Sequence, residues 1–92
     1  MGPIEQVLAQ IWCDVIGVKS IGPKDNFFDL GGHSVLVIQI LSRVRTAFGV
    51  ELLLRDVFDA PTVIELARVI EERLVEQVSA DEGLALAEEA VP

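Results

Sequence analysis

Apolar residues recur along most of this chain at the spacing of one-faced helices. Between residues 3 and 16, Ile4, Val7, Leu8, Ile11, Trp12 and Val15 follow the i, i+3, i+4, i+7 pattern of a helix with one buried stripe. Pro3 suits the first helical position, where a missing N–H costs nothing, and Gly17 is a plausible stop. A second helix is expected over 34–48, with Gly49 as a left-handed cap. Val35-Leu36-Val37-Ile38 is rich in β-branched residues and competes as the start of a buried strand. The helical reading prevails because Val37, Leu41, Val44 and Phe48 keep the helical spacing over three turns. Gln39, Ser42, Arg43, Arg45 and Thr46 fill most of the opposite face. Thr62-Val63-Ile64-Glu65 is a capping-box pattern after Pro61. It opens a third long helix carrying Val63, Leu66, Ala67, Ile70 and Leu74. Between them, 50-VELLLRDVFDA-60 has room for a turn and one short helix over Leu54 to Phe58. From about Gln77 the pattern fails, and 79-SADEGLALAEEAVP-92 is small and acidic with an internal Gly. The expected organisation is one all-α domain over residues 1–77 and a linker or tail over 78–92, with transient helix at its Ala-rich end.

The segment from Gly17 to His33 is longer than a usual helix connection, and such loops tend to be functional or to hide a short element. Phe27, Phe28 and Leu30 would be costly to leave in water, so they are expected to pin it to the core. An ordered loop then delivers Gly31-Gly32-His33-Ser34 to a fixed place at the start of the second helix. Glycines there permit close approach and dihedrals that Cβ-bearing residues resist.

Composition narrows the function classes. The chain has 92 residues, enough for one small domain with a modest core, and its apolar and charged fractions are ordinary for a globular protein. The formal charge of −8, without any Lys/Arg cluster, argues against nucleic acid and against an anionic membrane surface. Cys13 is the only cysteine, so no internal disulfide forms, which fits a reducing, cytoplasmic setting. No apolar run approaches the ~18 residues of a membrane span, and the N-terminus has no basic region of the secretory kind.

Ser34, taken alone, reads as an N-cap accepting a hydrogen bond from the next turn. A Ser-His hydrolase fails on parts: His33 is the chain neighbour and cannot readily swing round to take the hydroxyl proton. The run Gly32-His33-Ser34-Val35-Leu36 lacks the second glycine of a nucleophile elbow. One His and one Cys supply no ordinary metal shell. No catalytic residue and no metal site is expected, and another protein acts on or near Ser34. At ~100° per residue, Val37, Ile40, Leu41, Val44, Ala47 and Phe48 form one core face. Val35 and Ile38 fall on the far side with Gln39, Ser42 and Arg45. Two β-branched residues on a polar face beside a presented serine look like a docking spot for a partner.

The run 25-DNFFDLGGHS-34 resembles the core motif of the peptidyl carrier (thiolation) domains of nonribosomal peptide synthetases. The resemblance extends to Ile11-Trp12, to 48-FGVEL-52 and to 57-VFDAPTV-63, and covers roughly residues 4 to 75. It implies an acyl-carrier-protein-like four-helix bundle, three long helices and one short helix before the last. It implies that a phosphopantetheinyl transferase attaches 4′-phosphopantetheine from coenzyme A to Ser34, within the motif Asp29, Leu30, Gly31, Gly32 and His33. Adenylation, condensation and thioesterase-type domains would then visit the arm of a monomeric, non-catalytic carrier. Val35 and Ile38 are the expected docking residues, and Arg45 is added on electrostatic grounds. Fatty-acid and polyketide carriers typically resemble an Asp-Ser-Leu pattern at this place, so His33-Ser34 favours the peptidyl side. Val35 departs from the family's usual Leu, and Leu53 from its common Pro. An acyl carrier for polyketide or fatty-acid chains and an unmodified helical interaction domain remain the alternatives.

Overall fold

The computed structural model describes the backbone of residues 2–90 and the side chains of residues 2–77. Its regular structure is α1 (Pro3–Ile16), α2 (Ser34–Phe48), the short α3 (Leu54–Asp59) and α4 (Val63–Ala90). This is the expected all-α order of three long helices and a short one before the last. The boundaries follow from local chemistry. Pro3 opens α1, and Gly17 closes it at φ 87, its N–H donating to the Cys13 carbonyl. Gly49 closes α2 at φ 70, its N–H donating to the Arg45 carbonyl. Both glycines hold left-handed dihedrals that a side chain resists.

The core lies where α1, α2 and α4 meet. Leu8, Trp12, Val37, Ile40, Val44, Leu66 and Ile70 are fully buried there. Val57 carries α3 onto the same core, and Ile21, Val50 and Leu52 close it from the loops. Ala47, expected on the core face, is instead exposed. It sits in the last turn of α2, where its methyl stays in solvent while the longer Phe48 reaches back to the core. Leu41 and Phe48 are half-buried rather than buried.

The long connection before α2 is ordered and strapped down, as its aromatic residues imply. Phe27 is fully buried and meets Trp12 edge to face at 5.1 Å between ring centres. Phe28 packs edge-on against Phe27 and stacks flat on Phe58 of α3 at 5.0 Å. Asn26 organises the backbone, its Oδ1 accepting the N–H groups of Phe28 at 2.8 Å and Asp29 at 3.3 Å. The strap is sewn to the start of α4. Phe27 N–H donates to the Pro61 carbonyl at 2.7 Å, and Ile64 N–H donates to the Pro23 carbonyl at 3.1 Å. An isolated antiparallel bridge pairs Asn26 with Thr62.

α4 runs on to Ala90, beyond the point where its pattern of large apolar residues fails. The division placed at residue 77, with a tail over 78–92, concerns side chains outside those described.

Candidate functional site

The strap ends in 31-GGHS-34, and its two glycines answer to different constraints. Gly31 sits at φ 99 in open space. Gly32 has ordinary dihedrals, but a Cβ there would collide with the Phe27 ring. One glycine turns the chain and the other lets the backbone lie flat on the buried aromatic. The turn is held by Gly31 N–H to the Phe28 carbonyl at 3.3 Å and Gly32 N–H to the Phe27 carbonyl at 3.0 Å. Together they fix where α2 starts.

His33, not Ser34, is the residue before the helix. Its backbone is extended (φ −146, ψ 176), and its carbonyl accepts the first intrahelical bond from Val37 at 3.0 Å. Ser34 is therefore the first residue of α2, and the N-cap reading of its hydroxyl does not hold. No side chain caps this helix, and its first turn contains no Asp or Glu. The N–H groups of Ser34, Val35 and Leu36 precede the first intrahelical bond and point out of the helix end. Ser34 and His33 are exposed. Asp29 is exposed too, while Leu30 is half-buried against the core.

On the α2 side of this hydroxyl two apolar residues face solvent. Val35 and Ile38 are 60% and 57% exposed, as the helical wheel requires. Arg45 lies three turns along α2 and pairs with Glu51 at 3.6 Å across two largely exposed side chains. It sits at the far end of the helix, about 16 Å from Ser34 at 1.5 Å per residue. There it borders a groove of about 240 Å³ lined by Leu41, Ser42, Glu51, Leu52 and Leu53. The structure thus places Val35 and Ile38 beside the serine, and Arg45 away from it.

Sequence reasoning passed over three exposed apolar residues. Leu53, Leu54 and Phe58 are 60%, 43% and 49% exposed on or beside α3. Phe58, stacked on Phe28, joins α3 to the loop that carries the motif. The signal was present, since Leu54 and Phe58 stand at i, i+4 without facing the core that Val57 enters. Asn26 also went unremarked, although its side chain orders the strap. Its signal was an Asn immediately before paired aromatics, the pattern of an Asx turn.

Residues 6–70 match the family described as "Phosphopantetheine attachment site". Among curated proteins, a dimodular nonribosomal peptide synthase of Bacillus subtilis (strain 168) is 46% identical over 69 residues. That match covers 75% of this chain and 3% of that protein, so this chain spans only a small part of such relatives. A peptidyl carrier protein solved with the phosphopantetheine transferase Sfp and coenzyme A superposes with a TM-score of 0.77 at 38% identity. It covers 79% of this chain and 95% of that one. The Pax synthetase carrier solved as a non-covalent extended docking-domain complex (PaxA T1-CDD/PaxB NDD) gives a TM-score of 0.82 at 36% identity. That match covers 97% of this chain and 86% of that one. The chain belongs to the phosphopantetheine-attachment family, and within it to the peptidyl carrier domains of nonribosomal peptide synthetases.

Proposed function

We propose that Ser34 bears the 4′-phosphopantetheine arm and that residues 1–77 are the carrier domain proper. One observation carries this reading. The Ser34 hydroxyl is exposed at a helix start that has neither a side-chain cap nor a carboxylate. A phosphodiester on that oxygen brings negative charge to unpaired N–H groups and to the positive end of the helix dipole, a gain of about 0.3–1 kcal/mol at an exposed site. The residues present therefore fit the group. When attached, it supplies the thiol on which an aminoacyl or peptidyl unit is held as a thioester.

This chain's own residues position and present. Phe27, Gly31 and Gly32 set the place of the helix start. Asp29 and His33 flank the serine without any bond to it. Val35 and Ile38 offer a small apolar contact, suited to partners that must bind in turn and leave. The partners are a phosphopantetheinyl transferase and adenylation, condensation and thioesterase-type domains, in the cytoplasm. No described helix is long and apolar enough to cross a membrane. By likeness to the Pax carrier, a docking segment of another synthetase chain is a further partner. Residues 78–92 then lie outside the carrier domain, as linker or docking tail.

Incubation with coenzyme A and a broad-specificity transferase, read by intact-protein mass, tests the assignment. The wild type gains one phosphopantetheinyl group and Ser34→Ala gains none. Equal addition to both, or addition to neither, contradicts the proposal.

A further inference from the structure

We infer that Phe58 is a positioning residue for Ser34: stacked on Phe28, it lets α3 clamp from outside the turn that presents the hydroxyl. This deepens the reading of Ser34 given above and rests on it.

The turn has few side chains of its own to hold it. Between Phe28 and Ser34 stand Asp29, Leu30, Gly31, Gly32 and His33. Asp29 and His33 are exposed, the two glycines carry no side chain, and Leu30 alone packs against the core. The backbone of Phe28 anchors the turn: its N–H donates to Asn26 Oδ1 at 2.8 Å, and its carbonyl accepts Gly31 N–H at 3.3 Å. Where the Phe28 ring sits therefore bears on where Gly31 turns the chain. That ring is held on two sides. The buried Phe27 meets it edge to face at 5.3 Å, and Phe58 covers one face at 5.0 Å with the planes within 2° of parallel. Parallel rings in contact lie about 3.5 Å apart, so a centre separation of 5.0 Å is an offset stack, an arrangement that aromatic pairs favour.

Burial does not account for the Phe58 ring. Val57 is the buried residue of α3, and Phe58 stays 49% exposed. α3 nonetheless has a firm seat. Asp56 accepts Leu53 N–H at 2.7 Å through Oδ2 and Arg73 of α4 at 3.2 Å through Oδ1, with only 14% of its side chain exposed. Arg73 also reaches the Glu51 carbonyl at 3.4 Å. One end of α3 is thus fastened to α4, and the other lays a ring on the strap. Phe27 supports the turn from beneath and Phe58 supports it from outside. Loss of the outer support lowers the fraction of molecules that hold the turn in the form a transferase accepts. Such a loss raises the apparent KM and leaves kcat alone.

The test follows phosphopantetheine transfer from coenzyme A at varied concentrations of wild type, Phe58→Leu, Phe58→Tyr, Phe28→Leu and the Phe28→Leu/Phe58→Leu pair. In Phe58→Leu the expected result is a KM raised about two- to tenfold at unchanged kcat, the range that the coupling of one ring pair supports. Phe58→Tyr keeps the ring and should keep the wild-type values. In the Phe28→Leu background, Phe58→Leu should add less than about twofold, because the stack is already gone. Amide chemical shifts of the unmodified proteins give a readout independent of the transferase. Phe58→Leu should move the signals of Gly31 to Ser34 and leave those of α1 in place. An unchanged KM, a loss in kcat alone or the same factor with and without Phe28 would each overturn the inference while Ser34 remains the attachment site. So would failure of Phe58→Tyr to match the wild type, or shift changes that stop at α3 or spread through α1. No transfer to the wild type would instead defeat the reading of Ser34 beneath it.

Discussion

Two helix starts, both tied to the same strap, are built in opposite ways. At the start of α4 three successive backbone donors have partners. Ile64 N–H reaches the Pro23 carbonyl, Glu65 N–H reaches Thr62 Oγ1 at 3.2 Å, and Leu66 N–H reaches the Thr62 carbonyl. The Thr62 hydroxyl in turn donates to Glu65 Oε1 at 2.9 Å, and Glu65 puts a negative charge on the first turn. At the start of α2 there is no cap and no carboxylate, and the residue in the first position is an exposed serine. The difference separates stability from function. α4 starts with its donors tied to its own cap and to the strap, while α2 is positioned from behind by Phe27 and starts uncapped, at the hydroxyl proposed to carry the group.

Removing what positions α2 should have the largest effect. Phe27→Ala takes out a fully buried ring that contacts Trp12 and lies under Gly32. It should cost about 3–5 kcal/mol by denaturant melting and slow modification of Ser34. Gly32→Ala keeps the ring but drives a methyl into it, for about 1–3 kcal/mol. Gly31→Ala separates the two glycines, since its cost is backbone strain alone and Phe27 stays in place. An equal loss of modification in both glycine variants would mean that flexibility, not contact with Phe27, governs the turn.

The comparison itself sharpens at the next level. Thr62→Ala should cost about 1 kcal/mol, as the loss of an N-cap does, with modification of Ser34 unchanged. Ser34→Ala should move stability by no more than about 0.5 kcal/mol, since no cap is lost, yet abolish modification. If Ser34→Ala destabilised as much as Thr62→Ala, the hydroxyl would be acting as a cap and the contrast would fail. The smallest effect belongs to the modified form. It should be more stable than the unmodified one by about 0.3–1 kcal/mol, through the charge at the helix end. High salt should reduce that gain.

Much of this was legible in the residues, for identifiable reasons. Glycines after apolar runs, a proline at the first helical position and a T-x-x-E box are local signals, and they marked the ends of α1 and α2 and the start of α4. The strap was legible because two adjacent phenylalanines cannot be left in water. The role proposed for Ser34 was not visible from its own spacing, which read as a cap. It came from the whole run Asp25 to Ser34 and its flanks. What stayed hidden depended on tertiary geometry. The clash at Gly32 exists only because Phe27 folds beneath it, and Ala47 leaves the core only because the last turn of α2 lies in solvent. The residues expected to dock partners divide on the same ground: the exposure of Val35 and Ile38 follows from helical register, whereas the distance of Arg45 from the serine follows from helix length.

The most direct measurement is fragmentation mass spectrometry of the modified wild-type chain, locating the phosphopantetheinyl group among Ser20, Ser34, Ser42 and Ser79. The expected result is the group on Ser34 and on no other hydroxyl. Finding it on Ser20 or Ser42, or finding a modified Ser34→Ala chain, would contradict the role assigned to this helix start.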